Sequence, residues 1–298
     1  MTKERIGVVG AGLMGHGIAR SLLAAGHPVA VIAHRNRAPI DDLVARGATE
    51  AATLADLAAA SDVVHVCAPG SPEVEAVVAG ILPGLAPGSV VVDCSTSNPV
   101  STVALAARLA EAGHHWADAP MGGTPAQAEE GMLSAMVGAE PAVFARIEPI
   151  LRVWAGAGVV RMGGPGDGHR MKLVNNFIAM GYGAIYAEAL ALSTKVGLSR
   201  EQVDSVIRGS RMDCGFYRTF MGYALEGDRD SHKFTLRNAR KDMDYVAATA
   251  IAAGVANPMG AAVRNALAQA VAMGGDGPGD YVPHLVDFVA RANGIDGR

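Results

Sequence analysis

Lys172 and Asn176 are the two side chains whose types and spacing most directly suggest chemistry. They lie one helical turn apart in a pattern that reads as helix from just after Gly168 to Lys195, so both project from one face. An ammonium group can give a proton to a substrate oxygen or take one back, and an amide one turn along can hold that oxygen in place. Met171, Leu173 and Val174 flank the lysine, an apolar setting unlike that of a solvated surface lysine. The rest of this face, from Phe177 to Leu192, is apolar or small and broken by Glu188. The helix is therefore expected to form the wall of an active site.

A second stretch would supply the cofactor. The apolar run Ile6–Val9 enters Gly10-Ala11-Gly12-Leu13-Met14-Gly15, which opens a helical pattern to Ala25. After the turn Gly26-His27-Pro28, Val29–Ala33 reads as another strand. GxGxxG alone is a weak signal, but a strand before it, a helix after it and a second strand make the context of a dinucleotide site. Gly10 permits the tight turn, Gly12 lets backbone approach a pyrophosphate, and Gly15 allows close helix–strand packing. The second strand ends in Ala33-His34-Arg35-Asn36-Arg37, with no acid before Asp41. An NAD site usually places a carboxylate there for the ribose hydroxyls, whereas arginines suit a ribose phosphate. NADP is favoured, with NAD possible.

Apolar runs continue at Val63–Cys67, Val90–Cys94, His115–Ala119, Ala135–Gly138 and Val159–Met162, with Ala- and Leu-rich helical segments among them. Strands alternating with helices predict a mostly parallel, doubly wound sheet. After Gly168 only helical patterns appear, at 169–196, 199–210, 213–226, 234–253, 257–273 and 280–293. The expected organisation is an α/β dinucleotide-binding domain over residues 1–165, then an all-α domain over 166–298, joined by the long helix that carries Lys172.

With 298 residues, half of them hydrophobic but few aromatic, the chain has enough for two cores built of small aliphatic side chains. A net charge of −4 and the lack of any basic run argue against nucleic acid and anionic membrane as partners. Three scattered cysteines with no CxxC pair suggest reduced thiols rather than a disulfide framework or a metal site. Met1 to Arg5 lead straight into a strand, so no signal peptide is expected and the cytoplasm is the expected compartment. Tyr245–Val263 is uncharged and long enough to span a bilayer, but its Ala and Gly content and Asn257-Pro258 read better as two helices broken near Gly254.

Taken together these stretches resemble the β-hydroxyacid dehydrogenases, the family of 3-hydroxyisobutyrate dehydrogenase and tartronate semialdehyde reductase. The likeness runs over essentially the whole chain. It rests on Gly7–Gly15, on Asp93-Cys94-Ser95-Thr96-Ser97-Asn98-Pro99, on Asp118-Ala119-Pro120-Met121-Gly122-Gly123-Thr124, on Lys172 and Asn176, and on Lys241-Asp242. The resemblance implies a Rossmann-type domain with a helical partner domain that builds a homodimer or homotetramer. It also implies that Lys172 is the general acid or base, that Asn176 holds substrate, and that Ser95 and Thr96 touch substrate or nicotinamide. Gly122, Gly123 and Thr124 would grip a substrate carboxylate, largely through backbone N–H groups. Cys67-Ala68-Pro69 would pass beside the dinucleotide, Lys241 would reach over it, and Asp242 would fix its helix. Lys241 or an oxidised nicotinamide would draw the Lys172 pKa towards the working range.

Two departures stand out. Gly122 replaces the family's serine, for which Thr124 could substitute. Gly123 stands where the sulfolactaldehyde reductase branch, otherwise similar around Gly163–Lys172, has an arginine; Arg170, Arg211 or Arg218 could offer charge instead. The expected activity is interconversion of a small β-hydroxy acid and its semialdehyde. Competing readings are an imine reductase of the same architecture or a non-catalytic NADP-binding protein, and retention of Lys172 speaks against both.

Overall fold

The computed structural model describes residues 3–295. Met1 and Thr2, at the head of the expected lead into the first strand, and residues 296–298, at the end of the expected helical domain, lie outside the described residues. The seven apolar runs and two short strands that show no such pattern, Thr49–Glu50 and Met121–Gly122, form one nine-stranded sheet. Its strands are β1 (Ile6–Val9), β2 (Val29–Val31), β3 (Thr49–Glu50), β4 (Val63–Val66), β5 (Val90–Asp93), β6 (His115–Asp118), β7 (Met121–Gly122), β8 (Ser134–Ala139) and β9 (Gly158–Gly163). The first six pair in parallel in the order 3-2-1-4-5-6, that of a doubly wound dinucleotide fold. β8 then runs antiparallel to β6 and β7, and β9 lies parallel to β8.

Every residue of β1, β2, β4 and β5 is buried, because helices cover both faces of the sheet. Alternate residues feed two cores: Ile6, Val8, Val63 and Val92 face one, and Val9, Val64, Val66 and Val91 the other. The covering helices are α1 (Gly15–Ala24), α2 (Ala38–Ala45), α3 (Leu54–Ala59), α4 (Ser71–Ile81), α5 (Pro99–Glu111), α6 (Pro125–Glu129) and α7 (Pro141–Trp154).

The middle of β4 carries a polar side chain. His65 of β4 is fully buried, edge-on to Trp154 at 6.2 Å, and neither ring nitrogen has a hydrogen-bond partner among the described residues. Burial lowers its pKa from 6.5 to about 3. Between these values the unfolded chain binds a proton that the native chain does not, so stability falls as pH drops. At about 1.4 kcal/mol per pH unit, His65→Leu is expected to spare about 2 kcal/mol of the loss between pH 6.5 and 5, read by urea unfolding. Equal acid losses in both proteins would remove His65 as the cause.

The remaining helices are α8 (Asp167–Lys195), α9 (Arg200–Ile207), α10 (Gly215–Ala224), α11 (Leu236–Ala252), α12 (Pro258–Ala272) and α13 (Leu285–Ala292). The chain divides into compact units Met1–Lys172 and Leu173–Arg298, the division falling inside α8. In the second unit Leu173, Met180, Ala184, Ala187 and Leu190 of α8 pack into a core with Phe220, Met243 and Leu267. Its β structure among the described residues is a single isolated bridge, Thr235–Tyr281. The uncharged stretch 245–263 is broken as expected: α11 ends at Ala252, Gly254 takes a positive φ of 65°, and Asn257 caps α12. α8, at 29 residues, is long and apolar enough to cross a membrane by length and composition, though one face of it lies in this core.

Candidate functional site

The carboxyl ends of β1, β2 and β4 open on a groove of about 980 Å³ in the first unit. Gly10, Ala11, Gly12 and Leu13 form one wall, His34, Arg35 and Asn36 another, and Cys67 and Pro69 a third. A Cβ at Gly10, whose φ is +96°, would strike the Cys67 carbonyl oxygen, and one at Gly15 would strike the Gly10 carbonyl oxygen. These two glycines let the turn and α1 close on the sheet. Gly12 differs: a Cβ there meets nothing within 4 Å. Its backbone borders open space beside the start of α1, whose unpaired N–H groups and dipole favour a pyrophosphate. The residues present fit a dinucleotide.

The two arginines after β2 separate. Arg35 lines the groove. Arg37 forms a two-pronged ion pair with Glu50 of β3, at 2.8 and 2.7 Å, and another with Asp41 at 3.0 Å. The expectation that both face a ribose phosphate is therefore narrowed to Arg35.

Sequence reading passed over the far wall. His16 of α1 lies 2.7 Å from Glu129 of α6 through Nδ1 and 2.9 Å from Asp42 of α2 through Nε2, so its ring bridges the two carboxylates. Arg46 first and His16 second hold the Asp42 carboxyl below its ordinary range. Burial works against ionised Glu129, but the bonds from His16 and Arg20 outweigh it. This network ties three helices around the groove.

The loops after β5 and β6 are braced from within. Asp93 accepts from the Ser95 N–H and the Ser97 hydroxyl, both at 2.8 Å. Ser95 is buried, and its hydroxyl accepts the Ala68 N–H at 2.9 Å. Ser95 thus steadies the 67–69 loop, while Thr96 beside it is only half-buried. In the substrate loop, Gly123 takes a φ of +129°, and a Cβ there would lie 2.7 Å from Leu133 Cδ2. A side chain at this position would therefore be strained and would have to displace Leu133. Thr124 caps α6: its N–H donates to Gln127 Oε1 at 2.9 Å and its hydroxyl accepts the Gln127 N–H at 3.3 Å. Those groups are engaged in the cap of α6. Thr-x-x-Gln is a capping-box signature that was there to be read.

On α8, Lys172 is half-buried, and one turn later Asn176 is buried. The Asn176 amide donates to Asp242 of α11 at 2.6 Å. Lys241 sits 3.0 Å from the other Asp242 oxygen and 5.3 Å over the Tyr245 ring. Two of the three charges suggested for a sulfonate have partners: Arg170 pairs with Asp167 at 2.5 Å and Arg218 with Asp213 at 2.8 Å.

Residues 5–164 match the family model for the NAD binding domain of 6-phosphogluconate dehydrogenase. Residues 166–282 match that for the NAD-binding domain of NADP-dependent 3-hydroxyisobutyrate dehydrogenase. The chain is 37% identical to 2-(hydroxymethyl)glutarate dehydrogenase of Eubacterium barkeri over 68% of each. It is 33% identical to 3-sulfolactaldehyde reductase of Escherichia coli, over 90% of this chain and 91% of that one. Among solved structures, Mycobacterium tuberculosis 3-hydroxyisobutyrate dehydrogenase with L-serine superposes at a TM-score of 0.84, with 25% identity, covering 94% of this chain and 98% of that one.

Proposed function

Because the chain belongs to the β-hydroxyacid dehydrogenase family, an NAD(P)-dependent oxidoreductase group acting on CH–OH, we propose that it interconverts a small β-hydroxy acid and its semialdehyde, with Lys172 moving the proton and NADP preferred. The observation that carries this reading is a half-buried lysine one helical turn from a buried asparagine whose amide is fixed by Asp242. A bound nicotinamide supplies or accepts the hydride. Lys172 gives its proton to the carbonyl oxygen in reduction and takes it back in oxidation. Asn176, with its rotamer held by Asp242, steadies that oxygen. Gly122 and Gly123 receive the substrate carboxylate, since neither carries a side chain.

Arg35 supports NADP, as a guanidinium on the groove wall with no carboxylate between Ala33 and Arg37. A charge-assisted bond to phosphate contributes about 1.5–3 kcal/mol. Arg35→Ala is therefore expected to weaken NADPH by about 10- to 100-fold in fluorescence titration and NADH by less than about twofold. Equal losses for both cofactors would end the phosphate assignment. The substrate class is tested by following NADP(H) at 340 nm with 3-hydroxyisobutyrate, 2-(hydroxymethyl)glutarate and 3-sulfolactaldehyde. Preference for the sulfonate would overturn the carboxylate reading.

A second copy of the chain is proposed to cover α8. Val174, Ile178, Tyr182 and Ile185 recur every three to four residues, Leu192 follows two turns on and Val196 just past the end of α8; all are exposed, on the face opposite the core of the second unit. Sedimentation should find the wild type associated and Ile178→Lys/Ile185→Lys monomeric. A monomeric wild type at micromolar concentration would dispose of the idea.

A further inference from the structure

His169 is fully buried in the first turn of α8, and nothing above uses its ring. Nε2 lies 3.1 Å from the carbonyl oxygen of Ser95, and Nδ1 lies 2.7 Å from the hydroxyl of Thr102 on α5. A carbonyl only accepts, so Nε2 carries the hydrogen, while Nδ1 shares a hydrogen bond with the Thr102 hydroxyl, which also lies 3.2 Å from the Asn98 carbonyl oxygen. Two carboxylates stand further off, Asp93 at 3.7 Å from Nε2 and Asp118 at 3.9 Å from Nδ1. Asp118 also takes the backbone N–H groups of Gly166, at 2.6 Å, and of His169, at 2.8 Å. It thereby satisfies N–H groups that the start of a helix leaves unpaired. Gly168 is what allows this approach, because a Cβ there would lie 2.8 Å from Asp118 Oδ2 and 2.9 Å from the Gly138 nitrogen.

The Ser95 and Asp118 partners belong to loops already placed at the candidate site. The Ser95 carbonyl is part of the peptide that joins Ser95 to Thr96. Asp118 ends β6, three residues ahead of Met121, where the substrate loop begins its short strand. Lys172 follows His169 by three residues, the next position on the same side of α8. We propose that His169 is a positioning residue, holding the turn of α8 that bears Lys172 against the Ser95–Thr96 peptide so that amine and loop keep one spacing. This rests on the reading of Lys172 as the proton carrier. An imidazole suits such a brace, because it is rigid, it bonds at both ends, and burial shields both bonds from competing water.

The test uses the full-length protein with NADPH and the three compounds named above. His169→Leu keeps much of the volume and removes both ring nitrogens, whereas His169→Gln keeps an amide able to donate to the Ser95 carbonyl. Since misplacing a reacting group by an ångström can lower a rate about 100-fold, kcat should fall about 100-fold in His169→Leu while NADPH affinity stays within about twofold. His169→Gln should recover to within about tenfold of wild type. Amide hydrogen exchange should rise at least about tenfold in segments 94–98 and 167–172 of the leucine variant and return towards wild type in the glutamine variant. Should His169→Leu fail to fold, Thr102→Val removes only the hydroxyl and should give the same changes, about fivefold in size. A folded variant with wild-type kcat and wild-type exchange overturns the proposal, as does a loss shared equally with cofactor binding. Lys172→Ala separates the two ideas: if it retains turnover, the lysine reading falls, while exchange in the His169 variants still decides whether the ring braces the loop.

Discussion

Lys172→Ala is expected to lower kcat by about three orders of magnitude while NADPH binding stays within about twofold. General acid–base groups contribute typically 10²- to 10⁴-fold, and a loss of transition-state interaction alone appears in kcat rather than in cofactor affinity. The fold should survive, because Lys172 is only half-buried and alanine is the best helix former. Lys172→Arg should do little better, since a guanidinium keeps its charge but does not release its proton near neutral pH. Stopped-flow single turnovers at 340 nm separate the chemical step from release. Methylamine in the assay should restore part of the rate to Lys172→Ala and none to the wild type. Retention of more than about a tenth of wild-type kcat by Lys172→Ala would falsify the role given to this side chain.

The parts of this site that were legible share one property: their signal is local. Ile6–Val9 followed by Gly10–Gly15 switches from an unbroken apolar run to a helical period within ten residues, so strand, turn and helix all declare themselves. Lys172 and Asn176 were visible for the same reason, lying on one helix face. What the sequence hid depends on contacts between distant residues. Nothing near His169 distinguishes it from a routine buried histidine, because Thr102 and the Ser95 carbonyl lie 67 and 74 residues away. Arg35 and Arg37 look interchangeable until Glu50, on a two-residue strand too short to show a pattern, claims one of them. His16 reads as one polar position of α1 until Glu129, 113 residues on, is seen beside it. Thr124 is the opposite case, a local capping signal that was legible but masked by the substrate-loop reading.

Gly10 and Gly12 belong to one motif, yet substituting them should produce opposite failures. Gly10→Ala forces an L side chain into a φ of +96° and drives its Cβ into the Cys67 carbonyl oxygen. Backbone strain and a steric clash together should destabilise the first unit by about 3 kcal/mol or more, read as a lower urea midpoint in the absence of any nucleotide. Gly12→Ala meets no atom of the chain within 4 Å, so its urea midpoint should match wild type. Its NADPH and NADH affinities should nonetheless fall together, by about 100-fold, because the new methyl group stands where backbone must approach a pyrophosphate. The two readouts are independent, so each substitution serves as the control for the other. Gly10 is a glycine the protein needs in order to close its own turn. Gly12 is one that no contact among the described residues requires, and on the proposed reading its lack of a side chain serves the bound dinucleotide. Undiminished nucleotide binding by Gly12→Ala would mean that the open space above this residue is not a cofactor site.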